Sequence, residues 1–326
     1  MIVARAPLRI SFFGGGTDHP EFFRREGGAV LSTAIDKYAY VVANNFLSHM
    51  FEYAIRLSYS SIELARTANH VKHNIFRECL KHCGITRNIA LHSIFDTHAF
   101  SGLGTSSSLT VAVLHALHCF KKKSVAPAEL AYQAIHVERN KVKSNVGFQD
   151  QIAAAYGGFN LIEFSGGRDF MVKSVSLSPR RLADFEKHIF MVYTGIIRKS
   201  SRIAGAQIKK IPQNTALLRA MKKMAYDGYD ILTMGKPLKQ FGTLLNEAWE
   251  KKRSLDGGIS NATIDAMYQK GMKAGAWGGK LLGAGGGGFM LFFAPPHAHP
   301  KLVRAFPRKH LLPVRINAPR AQIIFS

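Results

Sequence analysis

Hydrophobic and polar positions alternate between two periods along this chain. Residues 2–13 read as a strand that runs into Gly14-Gly15-Gly16-Thr17-Asp18, and strand-like runs at 28–35 and 38–44 follow. Residues 70–83 carry a helical pattern, and 89–95 reads as a strand feeding a loop rich in glycine and serine. Beyond that loop Leu109, Ala112, Val113, Ala116 and Leu117 recur at helical spacing, which predicts an inward-packed face. Pro127 opens the next helix, as a first-turn proline does without losing a hydrogen bond. A helix over 145–156 stops at Gly157-Gly158; a strand at 159–164, a turn at 165–169 and a strand through 175 come next. Residues 176–179 are the expected domain boundary, dividing the chain into 1–177 and 178–326. A strand at 189–193 ends at Thr194-Gly195, and helices fill most of 200–275, with breaks at Pro212 and Gly235-Lys236-Pro237. The glycine-dense run 278–288 then precedes a strand at 289–293.

Composition narrows the class. A length of 326 residues, 47% hydrophobic and 20% charged, suits a globular protein of two domains. No apolar run approaches membrane-spanning length, the best being 289–294, and the first residues show no secretion signal. The three cysteines, Cys79, Cys83 and Cys119, lack zinc-finger spacing and read as core thiols, so a reducing cytoplasm is expected. The 44 basic and 21 acidic residues leave a net charge of +23. Such a balance suits nucleic acid, an anionic surface or an anionic substrate. The basic residues are scattered, however, and clusters such as Lys121-Lys122-Lys123 are short. We therefore expect a generally basic proteome background to explain the charge, with neither nucleic acid nor membrane as partner.

Several residues stand out chemically. Gly102 and Gly104 precede Ser106, Ser107 and Ser108 where a helix begins, so the three hydroxyls are expected to cap free backbone N–H groups. A glycine turn feeding a helix N-terminus is also an anion site; from the residues alone an ordinary serine cap is equally open. Glu138 follows Ala131, Ala134 and Ile135 at i+7, i+4 and i+3, on the apolar stripe of its helix. A carboxylate there needs a partner, either an arginine or a cation. Asp150 shares a face with the small residues Gly147, Ala153 and Ala154, which lets a ligand approach; a structural acid in the first helical turn is the other reading. Gly283, Gly285 and Gly288 match G-x-G-x-x-G but open a strand rather than a helix, which excludes a dinucleotide fold. Lys280 is followed by leucine, so there is no Walker loop, and the DFG and HRD signatures of protein kinases are missing.

Taken in order, residues 5–18, 102–108 and 283–289 resemble the three signature regions of the GHMP kinase superfamily, named for galactokinase, homoserine kinase, mevalonate kinase and phosphomevalonate kinase. Residues 146–158, with Gln149-Asp150-Gln151, resemble the segment carrying that family's catalytic aspartate. Gly14-Gly15-Gly16-Thr17-Asp18, Val137-Glu138-Arg139 and residues 194–198 are most similar to the D-glycero-D-manno-heptose 7-phosphate kinases within it. Two departures accompany the match: Phe100-Ser101 replaces a Pro-x-Gly-Ser lead-in, and Phe148 stands where relatives carry a polar residue.

The resemblance implies an α+β fold of two domains, the first ribosomal protein S5 domain 2-like, the second a ferredoxin-like α/β sandwich, with the active site between them. It implies ATP and Mg²⁺: Gly102, Leu103, Gly104, Thr105, Ser106, Ser107 and Ser108 around the phosphates, Ser106 and Glu138 on the ion. Asp150 is the implied base and Arg9 the stabiliser of transition-state charge. Gly15, Gly16, Asp18, Arg198, Lys199, Gly285, Gly286 and Gly287 are the implied substrate contacts, with Arg202 or Arg168 as other candidates for the phosphate anchor. The implied reaction phosphorylates the anomeric hydroxyl of a heptose 7-phosphate, on the way to nucleotide-activated heptose for surface polysaccharide. A kinase for galactose, fucose or another sugar phosphate, and a non-catalytic ATP- and sugar-binding sensor, are the competing expectations.

Overall fold

The computed structural model describes residues 1–97, 101–166, 170–197 and 200–326. In chain order its first half runs β1 (Ile2–Phe13), α1 (Pro20–Glu26), β2 (Gly28–Asn45), β3 (Ile55–Ser58), β4 (Ile62–Ala65), α2 (Asn74–His82) and β5 (Ile89–Phe95). Then come α3 (Thr105–Phe120), α4 (Pro127–His136), α5 (Gln149–Tyr156), β6 (Phe159–Phe164) and β7 (Phe170–Ser174). The second half holds α6 (Pro179–Glu186), β8 (Ile189–Tyr193), α7 (Ser200–Lys209), α8 (Thr215–Thr233), α9 (Leu238–Leu255) and α10 (Ala262–Lys273). It ends with β9 (Gly278–Leu281), β10 (Phe289–Phe293), α11 (His299–Ala305) and β11 (Gln322–Phe325).

The α+β class and the two-part architecture are as expected, and most elements lie where the hydrophobic period put them. The large sheet has the order β11-β1-β2-β5-β3-β4, with β6 on the first half of β2 and β7 beyond it. The expected strands 28–35 and 38–44 are one strand: β1 pairs with both, and Asp36 and Lys37 bulge out where Pro7 faces Tyr38 and Leu8 faces Ile35. A single long template strand overrides the local break. The smaller sheet is antiparallel, β8-β10-β9, with one bridge from Leu311 to Val192 on its outer edge. The last strand returns to the large sheet, where β11 pairs with β1.

Helices α3 and α5 cover one face of the large sheet and help form its own core, around Phe76, Val111, Leu114 and Ile162. The opposite face shares a core with the second half of the chain. There Phe12 stacks edge-on against Phe185 at 5.6 Å and Phe241 at 5.3 Å, and Phe293 lies 5.0 Å from Phe185. Each such ring, fully buried, contributes about 1.5–3 kcal/mol. The shared core fixes the small sheet against β1, and with it the glycine-rich segments that meet at Gly102 and Gly283.

Candidate active site

Three segments converge at the ends of β1, α3 and β9. Gly104 stands at the start of α3 with φ 78°, and among the described residues no side chain caps this helix. A Cβ on Gly104 would come within 3.4 Å of Asp150 Oδ2 and Arg9 Cγ, so glycine serves both the left-handed backbone and the close approach. Gly102 touches the third glycine segment, where a Cβ would stand 2.7 Å from the Leu282 carbonyl oxygen. The second and third glycine clusters therefore pack backbone to backbone.

The serine hydroxyls do not cap α3, contrary to expectation. Ser106 and Ser107 donate to the two oxygens of Glu138, at 2.7 and 2.6 Å, and Ser108 donates to the Pro7 carbonyl at 2.7 Å. The cap rule considers only the nearby backbone, while Ser106 and Ser107 find a stronger acceptor on another helix and Ser108 a carbonyl of β1. Glu138 lies on a π-helical turn, Val137–Lys141, that continues α4. It is fully buried, and the Gln151 side-chain amide also donates to it. The arginine partner considered for Glu138 does not occur among the described residues; burial raises its pKa and its three neutral donors lower it. Its donor set fits Mg²⁺, a hard cation that takes one or two carboxylates and completes its shell with phosphate and water oxygens. Ser106, exposed at the head of α3, stands beside it.

Asp150, in the first turn of α5, is held differently. Arg9 Nε and Nη2 donate to its two oxygens at 2.8 Å each, and Arg9 Nη1 donates to the Gly102 carbonyl at 2.7 Å. This fork fixes Asp150 against the serine loop from β1. Burial and the nearby Asp18 push the Asp150 carboxyl up from its ordinary value, and the Arg9 charge pulls it down. Asp18 is 1% exposed and accepts from the backbone N–H of Gly16 at 3.0 Å and of Gln149 at 3.2 Å. A Cβ on Gly147 would collide with Asp18 Oδ2, at 1.8 Å. On the segments that carry Asp18, Asp150 and Arg9, His19 Nδ1, Gln149 Oε1 and Ser11 Oγ are buried without hydrogen-bond partners among the described residues. They are unspent polar groups.

The remaining expected residues divide. Gly15 is half-buried, and a Cβ there would lie 3.5 Å from Ser11 Oγ and 3.8 Å from Gln149 Nε2. Gly285, Gly286 and Gly287 are buried, packed or hydrogen-bonded against Ile259 and Ile196. Arg198 and Lys199 lie outside the described residues, as do Phe100 and Arg168. Sequence reading gave no site role to Gln151 or Lys280, which it named, and missed Lys252; all three are buried here. A surface cavity lined by Glu21, His136, Arg139 and Phe148 contains none of the expected site residues.

Known proteins resemble this chain in sequence and fold. A family model described as the GHMP kinases N terminal domain matches residues 64–158, and one described as GHMP kinases C terminal matches 231–311. A D-glycero-alpha-D-manno-heptose 7-phosphate kinase from Campylobacter jejuni is 29% identical over 319 residues, 93% of this chain and 92% of that protein. A bifunctional fucokinase/GDP-fucose pyrophosphorylase from Arabidopsis thaliana is 25% identical over 93% of this chain, but only 31% of its own length is matched. Among solved structures, a D-glycero-D-manno-heptose 1-phosphate kinase from Bacteroides thetaiotaomicron superposes with a TM-score of 0.81 at 22% identity, over 100% of both chains.

Proposed function

Because the chain belongs to the GHMP kinase family and is a phosphotransferase with an alcohol group as acceptor, we propose that it is an ATP-dependent sugar kinase acting on a heptose phosphate. The acceptor we infer is the anomeric hydroxyl of D-glycero-D-manno-heptose 7-phosphate, giving the 1,7-bisphosphate. The Arg9–Asp150 fork, set against the N-terminus of α3, carries the reading.

Backbone N–H groups of residues 102–108 and the dipole of α3 would receive the ATP phosphates. Ser106 and Glu138 would hold Mg²⁺, which offsets phosphate charge when bound. Asp150 orients the acceptor hydroxyl and takes its proton as the oxygen bonds to the γ-phosphorus and ADP leaves. Arg9 holds Asp150 in place and adds positive charge beside the transferring group. Asp18, His19 and Gln149 offer acceptors and donors to sugar hydroxyls, with Gly15 and Gly16 giving them room. Arg198 or Lys199 would anchor the distal phosphate, a role suited to forked or point cations. Residues 1–177 would bind nucleotide and 178–326 would close on the acceptor.

ADP release with Mg-ATP across a sugar panel, with NMR of the product, tests this. The panel holds D-glycero-D-manno-heptose 7-phosphate, the free heptose, sedoheptulose 7-phosphate, galactose and fucose. Turnover confined to the heptose 7-phosphate, with a new anomeric phosphate, is the expected result. Turnover on a free sugar contradicts the phosphate anchor, and ATP binding without ADP release on any sugar points to a sensor.

A further inference from the structure

Two lysines lie buried between the halves of the molecule. Lys252, on the inner face of α9, is 8% exposed; its Nζ donates to the carbonyl oxygens of Leu281, at 3.3 Å, and Gly283. Lys280, on β9, is 4% exposed; its Nζ donates to the carbonyl oxygens of Ser11 at 3.0 Å and Phe12 at 2.7 Å. Among the described residues neither ammonium has a carboxylate within ion-pair distance.

A buried ammonium held only by carbonyls is costly, and a neutral amide would make a cheaper strap. Their placement gives the charges a use. Lys252 holds Gly283, whose Cβ, if present, would stand 2.7 Å from the Gly102 Cα, and the Gly102 carbonyl in turn accepts from Arg9. Lys280 holds the two residues of β1 that lead from Arg9 into the first glycine cluster. The backbone on both sides of the Arg9–Asp150 fork is thus tied to a buried lysine amine.

We propose that Lys252 and Lys280 are positioning residues for phosphoryl transfer: both lock the glycine segments together, and Lys252 keeps a positive potential behind the Arg9–Asp150 fork, where phosphoryl charge arrives. The proposal rests on the kinase reading. The charged groups acting on Lys252 are Arg9 of β1, Asp18, Asp150 of α5 and Lys280 of β9. On the neighbouring α8, Arg219 and Lys222 are engaged by Glu26, and Lys223 by Asp227. Burial, aided by Arg9, brings the Lys252 amine down to about 8, against the pull of Asp18 and Asp150, and burial with Lys252 and Arg9 nearby holds the Lys280 amine well below the usual lysine range.

Lys252→Met and Lys252→Arg in the full chain test this. In hydrogen exchange without ligand, the Met variant should exchange about tenfold faster at 101–104 and 281–288, with β6 unchanged. Its kcat should fall roughly tenfold with KM for ATP nearly constant, and the Arg variant should recover most of that loss. Wild-type activity should decline above about pH 8 as Lys252 loses its proton, and the Arg variant should keep its alkaline activity. Wild-type exchange in both segments of the Met variant overturns the proposal whatever its activity. Faster exchange with unchanged kcat and pH profile also overturns it, leaving a packing strap. If the Met variant does not fold, an Arg variant that keeps the limb near pH 8 overturns it. A wild-type protein that turns over no sugar contradicts the kinase reading, and exchange then decides the loop-holding role alone.

Discussion

Glu138, fully buried, and Asp150, half-buried, are both acids beside helix starts, and desolvation pushes both carboxyls upward. Their partners differ. Glu138, fully enclosed, meets two hydroxyls and an amide and, among the described residues, no cation. Asp150 meets a guanidinium through both oxygens, and its side chain keeps 23% of its surface open. An enclosed carboxylate without positive charge is stabilised by a proton or an arriving cation. One that already has its cation and an open side is suited to receive a proton from a bound hydroxyl. Burial alone would have given the two acids one role; their partners give them two.

Substitution should separate the two pockets sharply. Asp150→Asn preserves volume and should lower kcat by on the order of 10³, the scale of a lost general base. Single-turnover kinetics check this, and an unimpaired rate contradicts the base assignment. Glu138→Gln should lower turnover at least roughly tenfold, with the loss largest at low Mg²⁺. Its effect on stability has a defined sign. With the Glu138 pKa raised in the fold, wild-type stability from this group falls as pH rises from the ordinary carboxylate range through the raised value. The melting temperature of Glu138→Gln relative to wild type should therefore be higher at pH 8 than at pH 5, and an unchanged difference breaks the contrast. Arg198→Ala should have the smallest effect, raising KM for a phosphorylated sugar roughly tenfold and sparing an unphosphorylated one. Equal effects on both move the phosphate anchor elsewhere.

The elements around these pockets were legible where side chains carry the period. β5, β8 and β10 lie at the residues their apolar runs predicted. β9 was hidden, because Gly278 and Gly279 put no side chains into a pattern. Glu138 was visible as a charge on an apolar stripe. Lys252 gives the same signal, at i+7 from Leu245 with Ala248 and Trp249 between, and went unread. The joining of Asp150 to Arg9 across 141 residues of chain, and of Ser107 to Glu138, depends on tertiary packing that local spacing does not encode.

Calorimetric titration of ATP into wild type, Asp150→Asn and Glu138→Gln, with and without Mg²⁺, tests the division between the two acids most directly. The account predicts that Asp150→Asn binds Mg-ATP as wild type does, while Glu138→Gln loses the increment that Mg²⁺ adds. A Glu138→Gln variant that keeps the full increment, or an Asp150→Asn variant that loses it, contradicts the account.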